Sequence, residues 1–272
     1  MKKAALIISV YKNTRFLRAV LDALRFQTEQ NFELIITEDG NDPTMQMFIE
    51  NYPFHHPHLH LTQEDQGWRK NKALNNAIRA ASAPWLIFID GDCILHPRFI
   101  EMHLRHAEKN SILAGKRVKL NSTLTDWLLH DINNLNLMPG KIRKYLFRKV
   151  AQLRFIEEGI YINPDGWLGF IPRMRKLNRL KGCNMSFSKE AIESINGFDE
   201  DYVNPAVGED ADLTWRFISA GYRFQSLRNL AVQYHLYHPE NWSDQSTNLQ
   251  LMQAKQLHNE YICTNGLTSV SK

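Results

Sequence analysis

Apolar and polar residues alternate with two different periods along the first third of the chain. Four short apolar runs are typical of buried strands, and they lie at 5–10, 33–37, 59–61 and 85–89. Between them, apolar residues recur at helical spacing, and the predicted helices cover 14–27, 44–51 and 70–81. Strands that alternate with helices in this order indicate right-handed βαβ units. We therefore predict an α/β fold with a mostly parallel central sheet flanked by helices.

The pattern is less regular beyond residue 96. A helix at 97–110 and a strand at 112–118 are predicted first. The later predicted elements are strands at 183–188, 222–227 and 231–235 and helices at 189–195, 209–220 and 248–261. Residues 119–180 are basic, polar and aromatic in turn, which is typical of a helical insert or flap. The chain is thus divided into 1–118, 119–180, 181–240 and a helical tail at 241–272.

A strand-like run at 85–89 leads directly into Asp90, Gly91 and Asp92. Ligands of open α/β sheets bind at the edge where the strands have their carboxyl ends. Two carboxylates on a tight turn at that edge suit a hard divalent cation that is shared with substrate phosphates. A plain acidic turn is the alternative, because Asp-Gly pairs are common turn formers.

The bulk composition is that of an ordinary globular protein. Of the 272 residues, 43% are hydrophobic and 23% are charged. Cys93, Cys183 and Cys263 show no CxxC spacing, so neither a structural zinc site nor a disulfide framework is expected. A reducing compartment is the expectation for such a chain.

The N-terminal segment resembles the start of a signal peptide, with two lysines before an apolar run at 4–10. Residues 11–13 are Tyr-Lys-Asn, however, where a signal peptide would have a small-residue cleavage site. No apolar run approaches the ~20 residues that span a bilayer. We interpret the segment as the first strand and expect a cytoplasmic protein.

Charge is distributed unevenly along the chain. Residues 141–181 contain eleven Lys or Arg residues against three acids, a local net charge of +8, whereas the whole chain carries +4. Trp, Phe and Tyr residues are interleaved with these basic residues. This combination is typical of a surface that faces an anionic partner such as lipid, an acidic glycan or nucleic acid. An ordinary solvated basic face is the alternative interpretation.

Four acidic or histidine clusters fall at predicted strand ends or helix starts. They are Glu38-Asp39, Asp90 with Asp92, Glu209-Asp210 with Asp212, and His235 with His238. A single cluster of this kind is usually surface turn chemistry. Because the carboxyl ends of parallel strands open on one edge of a sheet, we expect the four clusters to converge there.

Several of these segments resemble the inverting glycosyltransferases of family 2, which have the GT-A fold. The segments that carry this resemblance are Ile7-Ile8-Ser9-Val10-Tyr11-Lys12-Asn13, Thr37-Glu38-Asp39-Gly40-Asn41 and Asp90-Gly91-Asp92. Later segments are similar to the galactosyltransferase-type C-terminal module of chondroitin-polymerase-like enzymes. They are Gly182-Cys183-Asn184-Met185-Ser186-Phe187, Asn196-Gly197-Phe198-Asp199-Glu200, Gly208-Glu209-Asp210-Ala211-Asp212-Leu213 with Arg216, and Tyr234-His235-Leu236-Tyr237-His238-Pro239.

The resemblance implies transfer of a sugar from a nucleotide donor, UDP-linked, to a saccharide hydroxyl with inversion. The context it implies is the synthesis of cell-surface polysaccharide or lipopolysaccharide. Residues 1–118 would bind the nucleotide sugar, and 181–240 would bind the acceptor and carry catalysis. Mn²⁺ or Mg²⁺ would be held by Asp92, with Asp90 nearby and with His235 as a further ligand. His238 is the alternative histidine ligand.

The same resemblance implies the donor-binding residues. Ser9 and Tyr11 would line the base, and Glu38 or Asp39 would accept a hydrogen bond from its imide. Asp90 would contact the ribose or a water on the metal, beside Gly91. Family members often have Arg-Asn where this chain has Leu74-Asn75, so Arg69 or Lys72 would contact the diphosphate instead.

The resemblance also implies the catalytic roles. Asp210 would be the general base for the acceptor hydroxyl, and Glu209 would bind or orient the acceptor. The two acids are the first residues of a predicted helix, where the helix dipole favours an ionised carboxylate. The alternative is that they only cap the N-terminus of this helix. Asn184 and Trp215 would contact the sugar rings.

Two other functional classes remain open from the residues alone. A sugar nucleotidyltransferase would use a similar sheet and metal, but its early phosphate loop is usually glycine-rich, and residues 11–15 contain no glycine. A non-catalytic module that binds glycan or nucleic acid would use the basic insert. No helix-turn-helix, zinc or RNA-binding signature is present, so we expect no nucleic-acid partner. We expect the insert to lie against anionic lipid at the inner face of the cytoplasmic membrane, where it would hold a lipid-linked acceptor.

Overall fold

The structure, a computed structural model, describes residues 3–148, 150–205, 207–239 and 244–269. Within these ranges the strands are β1 Ala4–Val10, β2 Phe32–Glu38, β3 His58–Leu61, β4 Trp85–Asp90, β5 Cys93–Leu95, β6 Ser111–Ala114, β7 Val118–Lys119, β8 Met185–Ser188, β9 Arg223–Ser226 and β10 Gln233–His235. The α-helices are α1 Thr14–Leu24, α2 Pro43–Asn51, α3 Lys70–Ala80, α4 Phe99–Arg105, α5 Ser122–His130, α6 Met138–Tyr145, α7 Phe170–Met174, α8 Lys189–Ser194, α9 Asp210–Ser219 and α10 Ser246–Leu257. Two 3₁₀-helices cover Ile132–Leu137 and Ile156–Gly159.

Seven strands form the central sheet in the order β3-β2-β1-β4-β8-β6-β9. All neighbours are parallel except β8, which runs antiparallel to both β4 and β6. The predicted mostly parallel α/β sheet is therefore confirmed. The register pairs Ser9 with Asp90 and Val10 with Glu38, so β1, β2 and β4 end at one edge of the sheet.

A smaller sheet lies beside this edge. It has the order β5-β10-β7, with β10 antiparallel to β5 and parallel to β7. Its register pairs His235 with Cys93, the residue directly after Asp92. A late segment of the chain is thereby brought next to the end of β4.

The core occupies both faces of the central sheet. Leu6 and Ile8 of β1 belong to one buried cluster with α1, and Ala5 and Ile7 belong to a second cluster on the other face with α3. All four side chains are fully buried. This accounts for the continuous apolar run of β1, because parallel strands that are covered on both faces have no polar side.

Several predicted boundaries differ from the structure. The predicted helix at 14–27 ends at Leu24, and the one at 97–110 covers only Phe99–Arg105. The single strand predicted at 112–118 is wrong, because the chain leaves the central sheet after Ala114 and enters the small sheet at Val118. Gly115 lies at this crossing, where an added Cβ would overlap the side chain of Asn184.

The insert packs into the main core over much of its length. Apolar residues of α5, α6 and the segment between them join the β1–α1 cluster, namely Leu124, Leu128, Leu135, Met138 and Ile142. None of the helices in the described ranges is long and apolar enough to cross a bilayer. Lys149 of the basic stretch and residues 240–243 before α10 lie outside the described ranges. The four-part division of the chain remains a prediction.

A buried ion pair anchors α9. Arg216 is fully buried, and it donates to Asp212 Oδ2 at 3.0 Å, to the carbonyl of Tyr261 at 2.9 Å and to the carbonyl of Ile195. Asp212 also accepts a hydrogen bond from the Tyr202 hydroxyl at 3.0 Å. The contacts connect α9 with the end of α8 and with the C-terminal segment, and so hold the helix that begins at Asp210.

Replacing Arg216 with methionine should lower the free energy of unfolding by about 3–5 kcal/mol, because Asp212 would become an unpaired buried charge. Urea denaturation of Arg216→Met and of the exposed-site control Arg223→Met provides the measurement. The control should stay within about 0.5 kcal/mol of the unmodified protein. Equal stabilities for the two variants would contradict the anchoring role of Arg216.

Candidate active site

A cavity of about 630 Å³ opens at the edge of the sheet where β1, β2 and β4 end. Its lining includes residues from all three strand ends and from the loop and first turn of α3, among them Ser9, Tyr11, Asp39, Trp68, Lys70 and Asp92. The cavity thus lies at the position where open α/β sheets bind ligands.

Asp90 is held at the cavity by three polar groups. Its Oδ1 accepts hydrogen bonds from the Ser9 hydroxyl at 3.0 Å and from Lys70 Nζ at 2.7 Å. Arg117 Nη1 lies 3.5 Å from Oδ2. Gly91 follows in close contact with β1, because an added Cβ would lie 2.8 Å from a methyl carbon of Val10. The turn between the two aspartates therefore has no room for a larger residue.

Asp92 contacts both late histidines. Its Oδ2 lies 3.2 Å from His235 Nε2 and 3.1 Å from His238 Nε2. Burial alone would raise the pKa of Asp92, but the hydrogen bonds from the two imidazoles hold it well below its usual range. The same hydrogen bond to Asp92 raises the pKa of His238 above its ordinary value.

The group formed by Asp92, His235 and His238 fits a divalent metal ion. One ligand atom from each residue lies within 4.8 Å of the others. A set of two imidazoles and one carboxylate suits transition metals better than Mg²⁺, which prefers oxygen ligands alone. Both candidate histidines are in position, so they need not be alternatives.

Lys70 connects the early and late acidic pairs. Its Nζ lies 2.7 Å from Asp90 Oδ1 and 2.9 Å from Glu209 Oε2. Burial alone would lower the pKa of this ammonium, but the charges of Asp90 and Glu209 raise it above its ordinary value. Lys70 is therefore a fixed positive charge between residues that are far apart in sequence.

Glu209, the second carboxylate partner of Lys70, has one oxygen without a hydrogen-bond partner in the described part of the chain. Its Oε1 is buried and has no hydrogen-bond partner among the described residues. Burial raises the pKa of this carboxyl, although Lys70 opposes the shift. A side chain at Gly182 would overlap Oε1, so the glycine is required where the carboxylate packs. A buried acceptor without a donor is a place for a ligand hydroxyl.

Asp210 is the first residue of α9, next to Glu209. Its carboxylate is partly exposed, and Oδ2 lies 3.4 Å from Lys181 Nζ. The contacts from Asp90 through Lys70 to Glu209 link one residue of each acidic pair. The expected convergence is confirmed for Asp90 with Glu209 and for Asp92 with the two histidines. Glu38 does not line the cavity, and a place for Asp210 at the cavity stays a prediction.

The predicted base-binding residues divide into two groups. Ser9, Tyr11 and Asp39 line the cavity, and Asp39 accepts hydrogen bonds from the Arg69 backbone at 2.8 Å and from Gln63 at 2.8 Å. Glu38 does not line it. That side chain is buried and accepts hydrogen bonds from the Asp42 backbone and from His60. Of the two residues predicted to accept a hydrogen bond from the base, only Asp39 lines the cavity.

The side chains of Arg69 and Lys72 are not among the lining residues. Arg69 folds back onto the Trp68 carbonyl, and Lys72 is exposed on α3. Lys70 takes the position expected for them. Helical spacing could have identified Lys70 from the sequence. Lys70 lies three residues before buried Ala73, on the face of α3 that packs on the sheet, and Lys72 does not lie on this face.

Asn184 is placed where it cannot contact a sugar, which contradicts its predicted acceptor role. It is fully buried, and its amide donates to the carbonyls of Lys116 and Ala231 at 2.8 and 3.0 Å. Its Oδ1 faces His103 Nε2 at 3.2 Å. Trp215 is half-buried, donates to Asp212 at 3.0 Å and does not line the cavity.

Arg117 and Trp68 were not identified from the sequence. Arg117 lies where the chain passes from the central sheet to the small sheet, and no local sequence pattern indicates this passage. The charge of nearby Cys183 raises the pKa of Arg117, and burial opposes this rise. Trp68 belongs to the loop before α3 and lines the cavity. Only the folded chain brings them beside Asp90 and Tyr11.

Comparison with known proteins agrees with this geometry. The family described as glycosyl transferase family 2 matches residues 5–170, which is more than half of the chain. The chain belongs to glycosyl transferase family 2. A second family, described as the N-terminal domain of galactosyltransferase, matches residues 173–239 of this glycosyltransferase. Family membership favours a transferase over a nucleotidyltransferase or a non-catalytic binding module.

Relatives of this glycosyltransferase have low sequence identity, but the matches cover most of this chain. It is 24% identical over 269 residues to chondroitin synthase from Escherichia coli, covering 92% of this chain and 38% of that protein. It is also 24% identical over 263 residues to the uncharacterized glycosyltransferase YfnE from Bacillus subtilis, covering 88% of this chain and 66% of that protein. The chain thus spans well under half the length of the chondroitin synthase it matches.

Two solved structures share the GT-A fold of this family 2 glycosyltransferase. The mannosyltransferase PcManGT from Pyrobaculum calidifontis, in complex with GDP-Man and Mn²⁺, has a TM-score of 0.54 at 15% identity, covering 95% of this chain and 62% of that chain. S. aureus TarS 1-349, in complex with UDP-GlcNAc, has a TM-score of 0.58 at 15% identity, covering 94% of this chain and 67% of that chain. The predicted GT-A fold is confirmed.

The ion pair of His238 with Asp92 makes the stability of the metal-free protein depend on pH. Because the folded pKa of His238 is raised, its stabilisation is complete below the ordinary value of 6.5 and is lost as the pH rises through the raised value. The contribution of Asp92 is lost only in acid, below its ordinary value of 3.8. In urea unfolding with EDTA, His238→Gln should therefore be less stable than the unmodified protein at about pH 5, and the two should have the same stability at alkaline pH.

The exposed-site variant His258→Gln is the control for this pH series. It should remain close to the unmodified protein throughout. A stability difference for His238→Gln that is constant from acid to alkaline pH would contradict the ion pair.

Proposed function

We propose that the protein transfers a sugar from a UDP-sugar to a hydroxyl of a growing saccharide, with inversion at the anomeric carbon. One arrangement supports the proposal: Asp92 contacts two histidines, and Lys70 pairs with both Asp90 and Glu209, the residue before Asp210. The first group suits a cation and a diphosphate, and the second suits an incoming alcohol. The chondroitin synthase relative supports synthesis of a cell-surface polysaccharide or lipopolysaccharide.

The nucleotide would lie over the end of β1. Tyr11 and Trp68 line the cavity there and offer aromatic faces to a base, while Asp39 offers a carboxylate that already orders the loop before α3. Ser9, Asp90 and Gly91 would contact the ribose side. The complex of TarS with UDP-GlcNAc, a GT-A neighbour, supports a uridine donor.

Asp92, His235 and His238 would hold the metal ion, with Asp90 oriented toward its waters. When bound, Mn²⁺ or Mg²⁺ supplies positive charge at the departing diphosphate. The two imidazoles favour Mn²⁺ of these two ions, and the PcManGT complex contains Mn²⁺. Lys70 and Arg117 add fixed positive charge beside the same phosphates.

Asp210 would take the proton from the acceptor hydroxyl. It is partly exposed at the N-terminus of α9, where the helix dipole favours the ionised form that a base requires. The unpaired Oε1 of Glu209 would accept from a sugar hydroxyl and fix its orientation. A single base with no enzyme nucleophile gives one in-line displacement, which inverts the anomeric carbon.

The basic insert would lie on an anionic membrane at its cytoplasmic face and hold a lipid-linked acceptor. Its exposed apolar residues include Phe147 at 93% and Trp167 at 87% exposure, together with Phe170 and Met174. Aromatic residues among lysines and arginines are typical of proteins that bind the membrane interface. The surrounding positive charge is the +8 of residues 141–181.

A donor screen tests the proposed reaction. Release of nucleoside diphosphate is measured across UDP-, GDP- and other nucleotide sugars, with and without Mn²⁺, in the presence of saccharide acceptors. We expect release from a UDP-sugar that depends on metal. A requirement for a nucleoside triphosphate, or no turnover of any donor, would contradict the proposal.

Replacing Asp210 with asparagine should lower kcat by about 100- to 10,000-fold, because the acceptor loses its base while the shape of the cleft is kept. UDP binding, measured by calorimetry, should remain nearly unchanged. The control is Asp126→Asn, which changes an exposed aspartate on α5. Near-native turnover by Asp210→Asn would show that the base is another residue.

Replacing Asp92 with alanine should weaken metal-dependent UDP binding by more than about 10-fold, because the cation loses its only carboxylate among the three proposed ligands. Calorimetry with UDP in Mn²⁺ and in EDTA gives the metal-dependent part. Asp126→Ala should retain the full difference between the two conditions. If Asp92→Ala retains it as well, the cation is held elsewhere.

The proposed membrane contact predicts co-sedimentation with phosphatidylglycerol vesicles and not with phosphatidylcholine vesicles. Binding should fall as salt increases, because exposed charges are screened. Phe147→Ala and Trp167→Ala should each reduce the bound fraction, whereas Met47→Ala, an exposed apolar change on α2, should not. Equal binding to the two kinds of vesicle would exclude a role for anionic lipid.

A further inference from the structure

A second group of metal-ligating side chains lies beside the proposed catalytic cation site. It consists of Cys93, Cys183 and Asp90, and one ligand atom from each lies within 4.8 Å of the others. Both cysteines are buried and free of disulfide bonds. The group shares no ligand with Asp92, His235 and His238, and the proposed transfer reaction assigns no role to either thiol.

Regular structure fixes both thiols. Cys93 begins β5, and its backbone pairs with His235 in the small sheet. Cys183 lies in a turn before β8 that is closed by the Asn184 N–H, which donates to the carbonyl of Lys181 at 2.7 Å. The buried amide of Asn184 then fastens this turn to two neighbouring carbonyls. The position of one sulfur is therefore set by a strand, and that of the other by a hydrogen-bonded turn.

The donor set differs in chemical kind from that of the neighbouring site. The two thiolate sulfurs are soft ligands and select Zn²⁺ and similar ions over Mn²⁺ and Mg²⁺, although the carboxylate oxygen is a hard ligand that Zn²⁺ also accepts. Ligand atoms around one tetrahedral Zn²⁺ lie about 3.5–4 Å apart, given metal–ligand bonds of about 2.0–2.3 Å. The separation of at most 4.8 Å in the metal-free protein is close to this geometry.

We propose that Cys93, Cys183 and Asp90 form a binding site for a thiophilic divalent cation, Zn²⁺ or Cd²⁺, distinct from the Asp92 site. Of the three residues, Asp90 lines the main cavity and both cysteines are buried. The thiols release their protons to solvent when they coordinate it. A solvent molecule completes the fourth position.

Occupation of this site would act on the cleft through Asp90. That carboxylate is the partner of Lys70 at 2.7 Å and of Arg117 at 3.5 Å. A divalent ion on Asp90 would compete with both of these cations for its oxygens. The site therefore couples thiophilic metals to the same carboxylate that orders the donor side.

Titration of the metal-stripped full-length chain with Cd²⁺ alone, without nucleotide, tests the site. The readout is the ultraviolet charge-transfer band of a cadmium–thiolate bond. We expect the band to saturate at one Cd²⁺ per chain. Cys93→Ser and Cys183→Ser should each abolish or strongly reduce it, whereas His238→Gln, which changes the Asp92 group at a residue outside the thiol group, should retain it.

Cys263→Ser is the matched control, because Cys263 is also a buried free thiol but contacts the carbonyls of Ile195 and Asn196 instead. Its band should equal that of the unmodified protein. Cadmium NMR of the unmodified protein gives a second readout that needs no variant, and a resonance in the range of two-sulfur ligation is expected. Absence of both signals at saturating Cd²⁺, or a band that persists in both Cys93→Ser and Cys183→Ser, would overturn the proposal.

Discussion

The ion pairs of Lys70 with Asp90 and Glu209 are the contact on which the cleft depends. A buried ammonium between two carboxylates is stable only while both remain close, because removing either leaves charge without compensation. One carboxylate ends β4 and the other precedes α9, which are separated by more than a hundred residues. The lysine therefore holds the end of β4 and the start of α9 at a set distance.

Other residues of helix α3 also contact the segment that precedes α9. Asn71 donates to the carbonyls of Asp199 and Gly208 at 2.7 and 2.9 Å, which brings together the two ends of the loop before Glu209. Asn75 binds both the N–H and the carbonyl of Phe198. These residues lie in the part of the chain that matches glycosyl transferase family 2, and their partners lie in the galactosyltransferase-type part. The polar residues of α3 thus connect the two matched regions by hydrogen bonds.

Asp90 belongs to several networks at once. It accepts from Ser9 and Lys70, faces Arg117, and lies within reach of two thiols. Asp92, two residues later, contacts a different set, the two histidines brought by β10. Alternation of side chains around Gly91 sends the two carboxylates into different surroundings, because Asp92 faces two histidines and Asp90 faces Lys70 and Arg117.

The sequence by itself determined the parallel sheet and the strand ends that carry acids, because strand and helix periods are local and parallel strands share one edge. Arg69 or Lys72 was predicted for the position that Lys70 takes, although helical phase places Lys70 on the buried face of α3. Only the tertiary structure decided that Asn184 supports the turn from within, that both histidines reach Asp92, and that Arg117 and Trp68 join the cleft. Those outcomes depend on a strand crossing between two sheets at Gly115, and no local pattern encodes contacts between segments so far apart.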